Sequence, residues 1–181
     1  MSDPLINKVA ESGLISLDLA SFLPKDAVVV FDIKPYLFME LILKEKEFRA
    51  SLAEIDWKEY QDKIVGIHCS ADAIIPMWAN MLVASNLSNT AKAIYFGDQN
   101  KVREQILLQE ISAINAAEYT DQRVVIKGCG DTPIGESAYI AITQKLRPVV
   151  KSIMYGEPCS TVPVYKKSRT YFDLKYSGNN F

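Results

Sequence analysis

The chain has 181 residues, of which 49% are hydrophobic and 23% charged, and its formal net charge is −2. A chain of this length and apolar content can bury one sizeable core, so a single domain is expected. Lysine and arginine are scattered along a slightly acidic sequence, which does not fit a nucleic-acid-binding protein. No apolar run reaches the roughly 18 residues of a membrane span. From the charge pattern and the apolar run lengths together, we expect neither nucleic acid nor membrane among its partners.

The N-terminus lacks the basic stretch and apolar segment of a secretory signal, so we expect a cytoplasmic location. The three cysteines are an odd number, and cytoplasmic thiols stay reduced, which disfavours a disulfide framework. Free thiols that bind or attack a ligand are therefore the first candidates for chemistry.

Strands and helices are predicted to alternate along the chain. Residues 1–23 are rich in apolar side chains and are expected to pack as a helix and a further segment on the domain edge. The β-branched run Ala27–Phe31 predicts a buried strand, and apolar spacing after Pro35 predicts a helix that reaches Leu52. Three further strand and helix pairs follow, 63–67 with 76–84, 93–96 with 101–114, and 123–127 with about 137–153.

Strands separated by long helices require crossover connections and form a mostly parallel sheet. The predicted fold is therefore α/β, with a three-layer, doubly wound sheet flanked by helices. We expect one domain over residues 1–165 and a polar C-terminal tail over 166–181. The sequence shows us no internal repeat.

Two cysteines follow predicted strands, at the end of a parallel sheet where ligands bind. Cys69 ends the string Ile64-Val-Gly-Ile-His-Cys69, and Cys129 ends Arg123-Val-Val-Ile-Lys-Gly-Cys129. If the two strands are neighbours, their ends lie about 5 Å apart, close enough for both thiolates to bind one metal ion. Cys159 lies in a proline-containing turn that could cover the same edge, although a cysteine near a strand is more often a small core residue.

Three polar residues lie near these cysteines or at similar strand ends. Adjacent side chains of a strand point to opposite faces, so His68, next to Cys69, is expected to be packed or hydrogen-bonded. Asp72 and Asp98 each precede a predicted helix and are expected to cap it. Asp72 or His68 could nevertheless complete a metal site that the cysteines begin.

Several strings of the sequence occur together and in order across residues 7–166. They are Asn7-Lys-Val-Ala-x-Ser-Gly-Leu14, Leu41-Ile-Leu-Lys-Glu-Lys-Glu-Phe-Arg49, Asp56-Trp57, Cys69-Ser-Ala-Asp-Ala-Ile-Ile-Pro-x-Trp78, Lys127-Gly-Cys129 and Ser152-Ile-Met-Tyr-Gly-Glu-Pro-Cys-Ser-Thr-Val-Pro163. On these strings the chain resembles the bacterial family called domain of unknown function 2480. The resemblance implies no established activity, but it implies an association with iron–sulfur cluster assembly proteins, which suits a cysteine site.

Three functions stay open from the sequence. In the first, Cys69, Cys129 and Cys159 hold zinc or an iron–sulfur cluster, with Asp72, His68 or an external group in the remaining position. In the second, Cys69 before a helix N-terminus is the reactive thiol of an enzyme or sulfur carrier. In the third, the cysteines only pack, and the protein is a non-catalytic partner-binding module. The apolar N-terminal segment also predicts a homodimer.

Overall fold

A computed structural model describes residues 14–128, 133–157 and 160–168. Within these ranges the helices are α1 Glu45–Ala53, α2 Met77–Leu87, α3 Gln99–Ala113 and α4 Glu136–Leu146. The strands are β1 Leu14–Asp18, β2 Val28–Asp32, β3 Ile64–His68, β4 Ala93–Phe96, β5 Arg123–Lys127, β6 Ser152–Glu157 and β7 Ser160–Lys166. The chain divides into two compact units, unit 1 from residues 1–22 and 108–181 and unit 2 from residues 23–107.

Unit 2 is a parallel three-stranded sheet in the order β2-β3-β4, with helices on both faces. Val65 and Ile67 of the central strand pack against α1 and α2, whereas Ile64 packs against the first turns of α3. This alternation buries the central strand on both faces, as expected for parallel sheets covered by helices. Gly66 lies in that strand because a Cβ there would collide with the Gly97 carbonyl and the Val102 side chain.

The segment between β2 and α1 is not the helix that the sequence predicted. Pro35 lies in a 3-10 turn, and Phe38 then pairs with Ile42 in an antiparallel bridge. Tyr36 stacks on Phe31, with ring centroids 5.6 Å apart, and this core contact holds the turn in place. Tertiary packing therefore overrides the apolar spacing, and α1 begins only at Glu45.

Unit 1 is a four-stranded sheet in the order β1-β5-β6-β7, in which only β7 runs antiparallel to its neighbour. β1 shows that part of the N-terminal segment is a strand, where a helix and a packed segment were expected. The helix predicted over about 137–153 ends at Leu146, and the chain after Pro148 forms β6. The prediction for residues 1–13 and for the tail after Ser168 lies outside the described residues.

The α/β class and the mostly parallel pairing are confirmed, and the described strands form two sheets. β3 and β5 belong to different sheets, so the assumption that Cys69 and Cys129 follow neighbouring strands is wrong. The prediction of one domain over residues 1–165 concerns how the chain unfolds, and it stays a prediction. The helices among the described residues are too short or too polar to cross a bilayer.

The two units repeat one design. A shift of 59 residues carries β3 onto β5, α2 onto α4 and β4 onto the start of β6. The register of pairing repeats as well, because Ile64 opposes Ala93 in unit 2 and Arg123 opposes Ser152 in unit 1. β1 pairs with β5 in the same register in which β2 pairs with β3.

The turns repeat in the same detail. Asp62 and Asp121, 59 positions apart, both adopt positive φ, of 58° and 55°. The Asp62 N–H donates to the Thr90 carbonyl at 2.9 Å, and the Asp121 N–H donates to the Val149 carbonyl at 2.9 Å. Such backbone conformations are uncommon for residues other than glycine, so their recurrence at one shift is not a chance match.

The core of each unit follows the same pattern. Helix α2 buries Ala79, Val83 and Leu87, and α4 buries the residues at the corresponding positions, Ala138, Ile142 and Leu146. Units 1 and 2 are thus an internal structural duplication, and the expectation of no repeat was wrong.

Candidate functional site

The carboxyl ends of β3 and β4 open onto a cavity of about 770 Å³ within unit 2. Its described lining comes from these strand ends, the segment before α2, and the first turns of α2 and α3: His68, Cys69, Ala71, Ala73, Ile75, Met77, Asn80, Met81, Phe96, Gly97, Asp98 and Lys101. Small-molecule sites in proteins have this volume and this mainly apolar lining with a few polar groups. We refer to it as the Cys69 cavity.

Cys69 follows the last residue of β3 and is half-buried in this cavity. Its thiol donates a weak hydrogen bond to the Ala71 carbonyl, with Sγ and O 3.7 Å apart. His68 lines the same cavity, although the strand pattern predicted opposite faces. The reason is that β3 ends at His68, so the strict alternation of a strand no longer applies to Cys69.

Asp32 anchors the chain that follows Cys69. Its Oδ1 accepts hydrogen bonds from the backbone N–H groups of Lys34 and Ser70, both at 3.0 Å, and the Ser70 hydroxyl donates to Oδ2. Burial acts to raise the pKa of Asp32, but these hydrogen bonds and the nearby His68 together bring it below the ordinary value. A carboxylate at the end of β2 thus fixes the residue next to the thiol.

The opposite wall of the cavity is held by the start of α3. Asp98 Oδ1 accepts a hydrogen bond from the Lys101 backbone N–H at 2.9 Å, so the predicted helix cap is confirmed. The Lys101 ammonium lies over the Phe96 ring, 5.1 Å from its centroid. Asp72 was expected to cap α2 in the same way, and this is wrong, because Pro76 is the cap residue and no side chain bonds there.

The proposed metal ligands are only partly covered by the structure. Cys129 and Cys159 lie outside the described residues, and the metal site of three cysteines stays a prediction. Among residues 14–128, 133–157 and 160–168, no three His, Cys, Asp or Glu side chains gather closely enough to hold a metal ion. Of the described candidates, His68 and Cys69 line one cavity, and Asp72 is an exposed residue that does not line it.

The apolar part of this cavity was not predicted from the sequence. Met77, Met81 and Phe96 are 78%, 71% and 57% exposed, so a large apolar surface surrounds the thiol. The sequence signal that could have indicated it is the composition of α2. This helix has no continuous polar face, and it carries methionines at positions where a surface helix is normally polar. The Lys101 position was missed because one lysine near a helix start is common on any surface.

The family model described as "Protein of unknown function (DUF2480)" matches residues 3–167, nearly the whole chain. The chain belongs to the DUF2480 family. The match covers strands of both units and the Cys69 cavity, so the resemblance seen in the sequence is confirmed. No curated protein and no solved structure gives a significant match.

Membership of DUF2480 supplies a family without an activity. The chemistry that could give this chain a function lies in its own residues, and the Cys69 cavity has a thiol, an imidazole and an ammonium group in one lining.

Proposed function

We propose that the chain is a thiol-dependent enzyme or sulfur carrier, in which the Cys69 thiolate attacks a small, largely apolar ligand. The bond from Sγ to the transferred group forms as the bond from that group to its leaving group breaks, and the leaving group takes up the proton that the thiol gave up. The observation that carries this proposal is the placement of a half-buried thiol in a ligand-sized cavity lined by His68 and Lys101. A thiol in a closed core would have no room for a substrate, and a thiol on open surface would have nothing to select one.

The residues around Cys69 supply what a nucleophilic thiol needs. His68 has an imidazole that can accept the thiol proton, and the Lys101 ammonium supplies a positive charge in the same cavity. Asp32 accepts hydrogen bonds from both the backbone N–H and the hydroxyl of Ser70, which limits the freedom of the neighbouring thiol. The apolar side chains of Ile75 and Met81 provide the surface that binds the rest of the ligand.

Saturation kinetics of thiol modification test the proposal directly. In a C129S/C159S variant, Cys69 is the remaining cysteine, and N-phenylmaleimide is an apolar reagent that fits the cavity. We expect its reaction rate to level off with reagent concentration, because binding precedes reaction. Met81→Glu should raise the half-saturation concentration, since it puts a charge on the apolar wall; Met81 is exposed, so the core is undisturbed.

Glutathione is the reference for an unselective thiol. Maleimide, which lacks the phenyl group, is the reference for a reagent that cannot bind the apolar wall. A rate that rises linearly with concentration and follows the glutathione rate for both reagents would contradict the proposal. The reaction at Cys129 and Cys159 in a Cys69→Ser variant shows how an unselected thiol of the same chain behaves.

The metal hypothesis is tested separately, by elemental analysis and an absorption spectrum of protein purified without oxygen. Stoichiometric zinc or iron that is lost when Cys69, Cys129 and Cys159 are all changed to serine would support a thiolate metal site. The cytoplasmic location, the homodimer and the iron–sulfur assembly partners likewise stay predictions. A partner-binding module would keep its function in the same serine variants.

A further inference from the structure

We propose that unit 1 contains a second ligand site, for a small molecule that is mostly apolar, is not an anion and carries a hydrogen-bonding group. The proposal rests on the internal duplication and on the chemistry of a cavity of about 650 Å³ in unit 1. It does not depend on any reaction of Cys69, because Cys69 does not line this cavity.

The unit 1 cavity overlaps the Cys69 cavity in the repeat, along the central helix and the third strand. Met77, Asn80 and Met81 of α2 line the Cys69 cavity, and Glu136, Tyr139 and Ile140, at the corresponding positions of α4, line the cavity of unit 1. The third strand contributes a ring to each, from Phe96 in one and Tyr155 in the other. The two cavities therefore share their helix and third-strand walls, whereas the strand-end counterparts Lys127 and Gly128 are not part of the unit 1 lining.

The main chemical difference is at the end of the central strand. Gly128 of unit 1 occupies the position of Cys69, and a Cβ on Gly128 would collide with the hydroxyl of Tyr139. The counterpart of Tyr139 in unit 2 is Asn80, which has a shorter side chain. The Tyr139 hydroxyl therefore stands in unit 1 where the thiol side chain begins in unit 2, and it replaces a nucleophile by a hydrogen-bonding group.

The lining is mostly apolar and selects against anionic ligands. Apolar walls come from Ile126, Ile134, Ile140, Ile153, Met154 and Val164. Tyr155 stands against Tyr139, with ring centroids 5.6 Å apart and planes at 77°.

At the adjoining strand ends, Lys127 is already paired with Asp18 at 3.5 Å and Glu157 at 4.0 Å, and it does not line the cavity. The charged group on the described lining is the carboxylate of Glu136, which disfavours anions. An apolar body with one polar end is the ligand that fits.

Photo-crosslinking with 4-hydroxybenzophenone, followed by peptide mapping, tests the site in the full chain. This probe is mostly apolar, carries a hydroxyl in addition to its ketone, and is uncharged at mildly acidic pH. We expect saturable labelling within residues 134–144 or 153–157. Ile140→Glu should abolish that labelling, and Met81→Glu, the corresponding change in unit 2, should leave it intact. Both side chains are exposed, 59% and 71%, so neither change disturbs the core.

Tyr139→Phe tests the role assigned to the hydroxyl. The loss of one hydrogen bond should weaken the apparent affinity for 4-hydroxybenzophenone about fivefold. Benzophenone keeps the ketone and lacks the hydroxyl, so its affinity shows which of the two groups Tyr139 bonds: it should change only if the bond is to the ketone.

Labelling of unit 1 that does not saturate, or that survives Ile140→Glu, would overturn the second site. Labelling confined to residues 69–81 would do the same, since only the Cys69 cavity would then bind the probe. Unchanged affinity for both probes in Tyr139→Phe would overturn the hydrogen-bonding role.

Discussion

At the scale of single residues, Asp32 connects the sheet to the site. It lies opposite His68 in the parallel pairing of β2 and β3, and it accepts three hydrogen bonds from Lys34 and Ser70. In unit 1, Asp18 has the corresponding position and accepts a hydrogen bond from the Ala20 N–H at 3.0 Å. A carboxylate at this strand end is therefore part of the repeated framework, and its partners in unit 2 are the residues beside the thiol.

Asp32→Asn should destabilise the protein by about 1 kcal/mol at neutral pH, because the amide accepts these hydrogen bonds less strongly than a carboxylate. The folded-state pKa of Asp32 is lowered, so its charge stabilises the fold fully above the ordinary pKa of about 3.9. That contribution is lost as pH falls from there through the lower folded-state pKa.

Urea unfolding at several pH values measures this effect. The stability difference between the native protein and Asp32→Asn should shrink as pH falls below about 4. Asp72→Asn, in an exposed position of the same loop, is the matched control and should change little at any pH. A difference that is constant with pH would show that the charge of Asp32 has no part in anchoring the loop.

At the scale of elements, the alternation of strands and helices was predictable because the buried strands are β-branched runs. The strand Arg123–Lys127 is a β-branched run and was predicted with its observed bounds. β6 and β7 were missed because β6 follows Pro148 after a short loop, and β7 has exposed valines and no clear alternation. Helix ends were the least certain, since Pro148 fixes only where α4 cannot continue.

The duplication was invisible in the sequence for a physical reason. Corresponding positions agree where packing or a turn demands it, as at Leu87 and Leu146 or at Asp62 and Asp121. They differ at the strand ends where ligands bind, as at Cys69 and Gly128. Buried positions accept any apolar side chain of similar volume, so the two units share a pattern more than they share residues.

The strand ends of the candidate site were predicted and its walls were not. Cys69 and Asp98 follow β3 and β4 as the sequence indicated. The apolar wall depends on which face of α2 turns away from the core, and α2 is apolar on nearly every side. Burial of Ala79 and Val83 decides that face, and it could be learned only from the fold.

Two corresponding glycines, one directly after β4 and one within β6, give a prediction about these elements. Gly97 and Gly156 correspond in the duplication and have φ of 130° and 118°, a region that side-chain-bearing residues rarely adopt. Gly97→Ala and Gly156→Ala should each destabilise the protein by about 1–3 kcal/mol. Gly135 has φ of −70°, so Gly135→Ala should cost less than about 0.5 kcal/mol.

Thermal or urea unfolding of the three alanine variants separates these outcomes. If Gly97→Ala were as stable as Gly135→Ala, the left-handed turn after β4 would not be required. The repeat would then lack one of the features on which the correspondence of units 1 and 2 rests.

At the scale of the whole molecule, the duplication has an unusual chain order. β1 of unit 1 comes first, the whole of unit 2 follows, and the remaining strands of unit 1 come last. Unit 2 is therefore continuous in sequence, whereas unit 1 is not. Unit 2 also has its own clusters of buried residues on both faces of its sheet. A segment with its own core and a continuous chain has the properties of an independent folding unit.

A fragment of residues 23–113, which keeps α3 whole, should consequently fold on its own and unfold cooperatively in urea. Both tryptophans, Trp57 and Trp78, lie in this fragment, and Trp57 stacks on the buried Phe31 with ring centroids 5.6 Å apart. Tryptophan emission therefore reports its core directly, and it should match the emission of the full chain. Val65→Asp places a charge in that core and supplies the unfolded reference. If the emission and far-ultraviolet circular dichroism of the fragment equal those of Val65→Asp, unit 2 needs unit 1 to fold. The predicted single domain, and not the repeated unit, would then be the unit of stability.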